Sequence, residues 1–198
     1  MPKRYDRAYF DRWYRTPRQR VGLRSLLERK VALAVAMAEY HLGHRVQSVL
    51  DVGCGEGAWR APLRRLRPGL RYTGFDSSEY AVSRHGARRN LKLVRFGQLA
   101  EVRLDAPVDL LICSDVLHYL KSSELRLGLS GFSELCDGVA FVEVFARGDD
   151  FVGDTDEYFA RPAAHYRAAL ADAGFVPCGS HCYLGGRLAV AASRLELT

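Results

Sequence analysis

One short segment does most to constrain the fold of this 198-residue chain. The largely apolar run Val49–Val52 leads directly into three glycines at alternate positions, Gly53, Gly55 and Gly57. Glycines there permit a tight turn and let a ligand approach the backbone with no Cβ in the way. A helix predicted over 58–67 follows, and its N-terminus would favour anionic groups. The segment therefore predicts a strand, a ligand-binding turn and a helix.

An acidic residue follows at a spacing that suits a nucleoside. The strand predicted over Arg71–Phe75 leads into Asp76, 19 positions after Gly57. A carboxylate at that spacing can accept hydrogen bonds from both hydroxyls of a ribose. The alternative role of Asp76 is to cap the next helix. Together with the glycine loop, the residue predicts an adenosine compound as the ligand.

Strand and helix patterns alternate along the rest of the chain. Strands are predicted over 46–52, 71–75, 91–96, 108–113, 139–145, 175–184 and 188–195, and the helices between them include 122–136. Strands separated by single helices form right-handed βαβ units and a parallel sheet. Only Gly185–Arg187 separate the last two strands, which predicts a C-terminal antiparallel hairpin. We expect an α/β fold, with a Rossmann-like, seven-stranded, mostly parallel sheet and helices on both faces.

Helices are also predicted before the first strand. Tyr5, Tyr9 and Trp13 lie four residues apart, as on one side of a short amphipathic helix. A longer helix is predicted to begin at Thr16–Pro17 and to end near Gly43.

We expect residues 1–42 to form an N-terminal helical arm or lid, and residues 43–198 to form the ligand-binding domain. A lid would exclude water from the site and place Trp13 or Tyr14 near the ligands. The alternative is an arm that packs on the outside of the sheet or on a second subunit.

The form Asp-x-Gly-x-Gly-x-Gly at Asp51–Gly57, with Asp76 behind the next strand and a closing hairpin, resembles the class I S-adenosylmethionine-dependent methyltransferases of small molecules. Nicotinamide enzymes usually have the spacing Gly-x-Gly-x-x-Gly instead. The resemblance covers roughly residues 45–195. It implies that the chain is an enzyme, with S-adenosylmethionine as the cofactor and methyl transfer as the reaction.

The resemblance also implies which residues bind the cofactor. Gly53, Gly55 and Gly57 would lie beneath its methionine part, Asp51 would orient that part, and Asp76 would hold the ribose.

Four further residues complete the implied cofactor site. Ser77 and Phe75 would lie near the adenine edge, and the Ser114 carbonyl would accept from the methionine ammonium group. Gln98 would contact the adenine, although an acidic residue is frequent at that place in the family.

The acceptor is expected at the carboxyl ends of the fourth and fifth strands, where ligands of such sheets bind. His118 is the candidate base, because histidine titrates near neutral pH, and Tyr119 lies beside it; both have a structural alternative. Glu143 interrupts a strand that should be covered on both faces, so it needs a partner, either the acceptor or an arginine. Asp115 and Tyr158 are the other predicted substrate or lid residues.

The segment Ser114–Leu117 lacks the Asn or Asp followed by Pro-Pro and an aromatic residue that is usual in methyltransferases of base nitrogens. Nucleic acid is therefore disfavoured as the acceptor, and a small molecule methylated at O, N or S is preferred. Two alternatives stay open: an RNA or protein methyltransferase that docks through a basic arm, and a catalytically silent binding protein with the same fold.

Charge is distributed unevenly along the chain. Residues 1–30 hold ten Lys or Arg and three Asp or Glu, so they carry the basic excess of a chain whose net charge is +6. This pattern indicates either a solvated helix face or an anionic partner.

Composition argues for a cytoplasmic protein. The apolar run Val31–Ala38 is too short to span a membrane, and no secretory signal pattern is evident. The five cysteines fit no zinc pattern, and buried free thiols are preferred over a metal site at Cys178, His181 and Cys182. We therefore expect no metal, and the oligomeric state stays open.

Overall fold

The computed structural model describes residues 4–16, 24–150 and 153–192. Its strands are β1 (Ser48–Val52), β2 (Arg71–Asp76), β3 (Leu91–Leu93), β4 (Val108–Ser114), β5 (Cys136–Glu143), β6 (Val176–Gly179) and β7 (Cys182–Leu184). Its α-helices are α1 (Arg7–Phe10), α2 (Arg24–Leu42), α3 (Arg60–Leu66), α4 (Glu79–Arg89), α5 (Ser122–Leu129), α6 (Phe132–Leu135), α7 (Ala163–Asp172) and α8 (Gly186–Ala191). A π-helix covers Asp11–Arg15, and 3₁₀-helices cover Phe96–Ala100 and Leu117–Tyr119.

The strands form one seven-stranded sheet in the order β3-β2-β1-β4-β5-β7-β6. The first five strands are parallel, whereas β7 runs antiparallel to both β5 and β6. This confirms the predicted α/β fold with its mostly parallel sheet and C-terminal antiparallel hairpin.

Apolar side chains of alternate strand positions point into two separate cores, one on each face of the sheet. Leu50, Leu111 and Ala140 pack with α5, α6 and α7 on one face. Val49 and Ile112 pack with α2 and α3 on the other. Because both faces are covered, β1 is buried along its whole length, as expected of a parallel strand. None of the described helices is both long and apolar enough to cross a membrane.

The predicted position of the closing hairpin is wrong. It turns at Ser180 and His181, inside the predicted strand 175–184, and both residues have positive φ values of 51° and 65°. The predicted last strand, 188–195, is instead occupied by α8 as far as Ala191, and 193–198 lie outside the described residues. Gly185, the predicted turn, is an extended residue whose N–H donates to Gly138 O.

Two other predicted elements are shorter than expected. β3 ends at Leu93, and the chain enters a 3₁₀-helix at Phe96 because the Gln98 side chain accepts a hydrogen bond from Arg95 N. The predicted helix 122–136 is interrupted at Gly131, which lies so close to the backbone of Leu99 that a Cβ would collide with it.

The N-terminal helices divide into two parts. α2 packs on the sheet through Val31, Ala34 and Val35, so it belongs to the core of the domain. Its predicted beginning at Thr16–Pro17 falls partly outside the described residues. Residues 4–16 form a separate short segment, which we call the arm, and Asp6 caps its helix by accepting from Tyr9 N at 3.0 Å.

Candidate active site

The glycine loop, Gly53–Gly57, follows β1 at the carboxyl end of the sheet. Gly53 has a φ of 70°, and a Cβ there would collide with the Val116 side chain, so only glycine suits this position. The N–H groups of Gly53 and Cys54 both donate to Phe75 O, at 2.8 and 3.1 Å. The loop is therefore fastened to the end of β2.

Asp76 fastens the loop from the side chain as well. Its Oδ2 accepts from Gly55 N at 2.6 Å, and its Oδ1 accepts from Ser78 N at 2.8 Å. Burial raises the pKa of this carboxyl, while backbone hydrogen bonds from Ser78, Gly55 and Ser77 oppose the rise. Each carboxylate oxygen has a second lone pair, so Asp76 keeps acceptor capacity toward the cavity that it lines.

Asp51 is almost fully buried beneath the same loop. The Tyr72 hydroxyl donates to its Oδ2 at 2.6 Å. Burial raises the pKa of Asp51 to about 7, although the bond from Tyr72 opposes the rise. The residue also lines the second of the two cavities described next.

Two cavities meet at the glycine loop. The first, of about 240 Å³, lies over the ends of β2 and β4 and reaches Phe96 and Tyr119. The second, of about 410 Å³, lies between α2, the loop and Trp59. The residues that line both cavities are Phe10, Tyr14, Gly53, Gly55 and Asp115. Ligands in the two cavities would therefore meet beside the loop.

The arm forms a wall shared by the two cavities. Phe10 is only 4% exposed, and a Cβ on Gly55 would lie 3.2 Å from its ring. The arm is held there by a hydrogen bond from Ser78 Oγ to Tyr5 O and by an ion pair between Arg15 and Glu56, both at 2.5 Å.

The predicted arm residues Trp13 and Tyr14 differ in position. Tyr14 lines both cavities. Trp13 lines neither, and its ring contacts the Arg12 guanidinium at 5.0 Å from the ring centre.

A partly buried ion pair lies beside the second cavity. Glu143 Oε2 accepts from Lys30 Nζ at 2.5 Å and from Ser114 Oγ at 2.7 Å. The charged partner that Glu143 needed is thus a lysine of α2. Lys30 and Ser114 line the second cavity, whereas Glu143 supports them from behind.

Asp115 projects from the turn after β4 with a φ of 61°. Desolvation raises the pKa of its carboxyl to about 6, with Glu143 adding to the rise and Lys30 opposing it. Because Asp115 lines both cavities, its carboxylate is placed at the junction where two ligands would meet.

His118 is fully buried and lines neither cavity. Its Nδ1 lies 3.4 Å from Phe145 N, and its ring packs against Tyr119 and Tyr158 at centroid distances of 4.2 and 5.6 Å. Tyr158 donates to Ala146 O at 3.2 Å and also lies outside the cavities. Tyr119 faces the first cavity and donates to Asp154 O at 2.8 Å.

The remaining predicted cofactor residues differ in whether they line a cavity. Ser77 lines the first cavity, as does Phe96, which the sequence had not singled out. Gln98 is exposed and lines neither cavity, because its side chain turns back to Arg95 N. Gly57 has a φ of 76° and closes the loop by donating to Cys54 O at 2.8 Å.

Lys30 and Phe10 are two further site residues that sequence reasoning missed, although the sequence pattern contained a signal for each. Lys30 interrupts the apolar face of α2 between Leu27 and Val31, so its charge required a partner. Phe10 adjoins the aromatic stripe of the arm, but its place over Gly55 depends on a contact 45 residues away in the chain.

Comparison with known proteins decides what this geometry belongs to. Residues 50–137 match the family described as a methyltransferase domain, from β1 through the glycine loop and Asp76 to the start of β5. Residues 50–137 thus form a methyltransferase domain, similar to those of the class I S-adenosylmethionine-dependent enzymes. Its cofactor is S-adenosylmethionine, and it belongs among the enzymes that transfer methyl groups.

Solved structures share the fold of this methyltransferase. DesVI of Streptomyces venezuelae is 16% identical, with a TM-score of 0.61 over 81% of this chain and 92% of that one. The magnesium protoporphyrin IX methyltransferase of Synechocystis, with bound S-adenosylmethionine, is 23% identical, with a TM-score of 0.60 over 86% and 82%. The sugar N-methyltransferase KedS8 of a Streptoalloteichus species is 14% identical, with a TM-score of 0.63 over 80% and 87%. No curated protein matches the chain significantly by sequence.

The residues at the loop fit the cofactor. The Gly53 backbone is so closely covered that a side chain would have no room, and the buried Asp76 carboxylate lines the adjoining cavity. A nucleoside with ribose hydroxyls matches a buried carboxylate acceptor beside a glycine loop.

Proposed function

We propose that this methyltransferase transfers the methyl group to O, N or S of a small-molecule acceptor bound beside the glycine loop. The observation that carries the proposal is the meeting of two cavities at Gly53, Gly55 and Asp115. Such a meeting lets the reacting atoms of two ligands approach each other, and alignment is a large part of what an enzyme supplies to a displacement reaction.

The cofactor would extend across the loop. Asp76 and Ser77 would bind the ribose and adenine portion in the first cavity, with Gly53, Gly55 and Gly57 beneath the methionine portion. When bound, S-adenosylmethionine supplies an electrophilic methyl group.

Two further residues would fix the amino-acid end of the cofactor. Asp51 lies beneath the loop and Ser114 lines the second cavity, so Asp51 would orient the methionine portion and the Ser114 carbonyl would accept from its ammonium group. An adenine contact by Gln98 stays a prediction that its present position does not support.

The chain's own contribution at the acceptor would come from Asp115, Tyr119 and Glu143. Asp115 is the better placed proton acceptor, because it faces both cavities and its pKa is raised to about 6. Glu143 would hold Lys30 and Ser114 in place. The role of His118 as a base stays a prediction; its full burial favours a supporting role, together with Tyr158, behind Tyr119.

The arm would serve as the lid. Its contacts with Gly55, Ser78 and Glu56 are local, whereas α2 is part of the core. We therefore propose that the closing element is shorter than residues 1–42 and corresponds to the arm, with Tyr14 against the ligands and Trp13 outside them.

A small-molecule acceptor is favoured over nucleic acid by the arm's charges. Arg15 pairs with Asp11 and Glu56, and Arg7 pairs with Asp11. Arginines that are already paired with carboxylates within the protein attract phosphate groups less strongly. A cytoplasmic location and a site without a resident metal stay predictions, and an RNA or protein acceptor is the alternative to the proposal.

Incubation with S-adenosylmethionine and a panel of small alcohols, amines, thiols and carboxylic acids tests the proposal, with S-adenosylhomocysteine detected by mass spectrometry. Acceptor-dependent product from at least one small-molecule class is expected. Product that forms only with RNA or protein acceptors, together with RNA binding that weakens steeply with salt, would replace the proposal by the alternative.

A further inference from the structure

Arg161 is a buried cation without a carboxylate partner. The residue is 9% exposed, and no ion pair joins it to an acidic side chain in the part of the chain that the structure describes. Its Nη1 is buried and has no hydrogen-bond partner among those residues. Burying a charge is costly unless other groups compensate for it, so this guanidinium must be stabilised in another way.

The groups that compensate the Arg161 charge are a carbonyl and two aromatic rings. Its Nη2 donates to Leu120 O at 2.5 Å. Its guanidinium carbon lies 4.8 Å from the ring centre of Phe159 and 6.0 Å from that of Tyr166 in α7, and the faces of such rings attract cations. The side chain is thus held between α7 and Leu120, the residue that ends the 3₁₀-helix Leu117–Tyr119.

Residues 154–161, which we call the strap, are bonded to three consecutive residues at the end of that 3₁₀-helix. Phe159 N donates to His118 O at 2.8 Å, and the Tyr119 hydroxyl donates to Asp154 O at 2.8 Å. The bond from the buried guanidinium is the third, and it is the charged one of the three. A 3₁₀-helix has poorer hydrogen-bond geometry than an α-helix, so the position of this single turn depends on the strap.

The same 3₁₀ turn forms a wall of the first cavity. Val116, Tyr119 and Leu120 all line that cavity. The Val116 side chain also lies so close to Gly53 that a Cβ there would collide with it. Displacement of the turn would therefore move both the cavity wall and a neighbour of the glycine loop.

We propose that Arg161 is a positioning residue for the cofactor: by holding Leu120 O, it sets the position of the wall against which the adenosine portion binds. This inference rests on the proposed function, because it needs that portion of the cofactor in the first cavity. Arg161 lines neither cavity, so it acts through the 3₁₀-helix and not by contact with a ligand.

Arg147 provides a matched control within the same region. Its Nε and Nη2 donate to Ala160 O at 3.2 and 3.1 Å, so its guanidinium also binds a main-chain carbonyl. That carbonyl belongs to the strap, however, and Arg147 is exposed. A substitution of Arg147 therefore removes a bond to the strap without removing a bond from the strap to the 3₁₀-helix.

Titration calorimetry with S-adenosylhomocysteine on the folded proteins tests the proposal. Arg161→Met removes the charge and the donors but keeps an unbranched side chain, and we expect it to weaken binding about fivefold or more, because a charged hydrogen bond is lost. Arg161→Lys keeps a cation without the planar fork, so its affinity should lie between those of Arg161→Met and wild type. Arg147→Met should match wild type.

Hydrogen exchange of the ligand-free proteins measures the position of the wall without the cofactor. Amides of residues 116–121 should exchange faster in Arg161→Met than in wild type or Arg147→Met, whereas those of α4 should not change. If Arg161→Met does not fold, the comparison of Arg161→Lys with wild type decides by the same two measurements.

Equal affinity of wild type and the Arg161 variants for S-adenosylhomocysteine would overturn the inference and leave the proposed function intact. Faster exchange throughout the protein, α4 included, would assign Arg161 to general packing and would also overturn it. Absence of binding by folded wild type would instead remove the proposed function, and this inference with it.

Discussion

At the scale of single residues, burial decides the protonation state of the carboxyl beneath the glycine loop. Asp51 is 2% exposed, with Tyr72 as its side-chain partner, and burial raises its pKa to about 7. Removal from water disfavours the charged form of an acid, and one hydrogen bond restores only part of the loss. The protein therefore holds a protonated carboxyl there below neutral pH.

This state has a consequence for stability that can be measured. Between the ordinary pKa of an aspartate and about pH 7, the unfolded chain has released the Asp51 proton while the folded chain retains it. The folded state then binds more protons, so the free energy of unfolding falls as the pH rises through this window. Between pH 5 and pH 7.5, we expect the free energy of unfolding of the wild type to fall by on the order of 1–3 kcal/mol relative to that of Asp51→Asn.

Urea unfolding of both proteins at the two pH values gives this difference, and Asp105→Asn, at an exposed position, is the control. The comparison cancels the contributions of Asp76 and His85, whose pKa values are also shifted. A difference between wild type and Asp51→Asn that does not change with pH would show that Asp51 is ionised throughout.

At the scale of elements, the site depends on contacts between segments that are far apart in the chain. Lys30 of α2 reaches Glu143 at the end of β5, and Ser114 of β4 completes the group. Both charged side chains keep less than a quarter of their surface exposed, so removal of one would leave the other poorly compensated.

Glu143→Gln tests the role of this group. The substitution removes the charge that holds Lys30 but keeps a hydrogen-bond acceptor for Ser114. We expect a drop in turnover of about tenfold or more, because misplacement near the reacting atoms is costly, with S-adenosylhomocysteine affinity nearly unchanged. Glu134→Gln, an exposed substitution on α6 outside both cavities, is the control. A variant that turns over normally, or one that loses cofactor affinity instead, would show that Glu143 is misassigned.

The arm provides the second prediction at this scale. Deletion of residues 1–19 removes Phe10 from Gly55 but leaves α2 and the sheet, so the protein should remain folded by circular dichroism. Loss of the wall shared by the two cavities should reduce methyl transfer about tenfold or more. Phe10→Ala should act in the same direction, and Tyr40→Ala, at a side chain that is 78% exposed, should have no effect.

Full activity of the truncated enzyme would refute the lid. Aggregation of the truncated protein, with normal activity of the Phe10→Ala variant, would show that the arm only covers apolar surface.

At the scale of the whole molecule, the sheet was predictable because its central strands are apolar on both faces and separated by helices. The hairpin was misplaced because Gly185–Arg187 resembles a turn, whereas the actual turn at Ser180 and His181 uses positive φ without a glycine at those two positions. Local preference favoured the glycines, and pairing of β7 with β5 overrode it.

The parts of the candidate site that come from one continuous segment were predictable. The parts that several distant segments form together were not. The glycine loop and Asp76 follow from spacing along the chain. The ion pair of Lys30 with Glu143 spans 113 positions, and the enclosure of His118 depends on packing by Phe145, Tyr119 and Tyr158. The local pattern shows that Lys30 and Glu143 each need a partner, but it does not show that they pair with each other, and it does not show what encloses His118.

The central claim is that the glycine loop and Asp76 bind the adenosylmethionine cofactor, and titration calorimetry with S-adenosylhomocysteine tests it most directly. Wild type should bind, Asp76→Ala should bind more weakly by about 1–3 kcal/mol because ribose hydroxyls lose their partner, and Asp105→Ala should match wild type. Melting temperatures distinguish lost affinity from a loop loosened by the missing bonds to Gly55 and Ser78. Absence of binding by folded wild type would contradict the account.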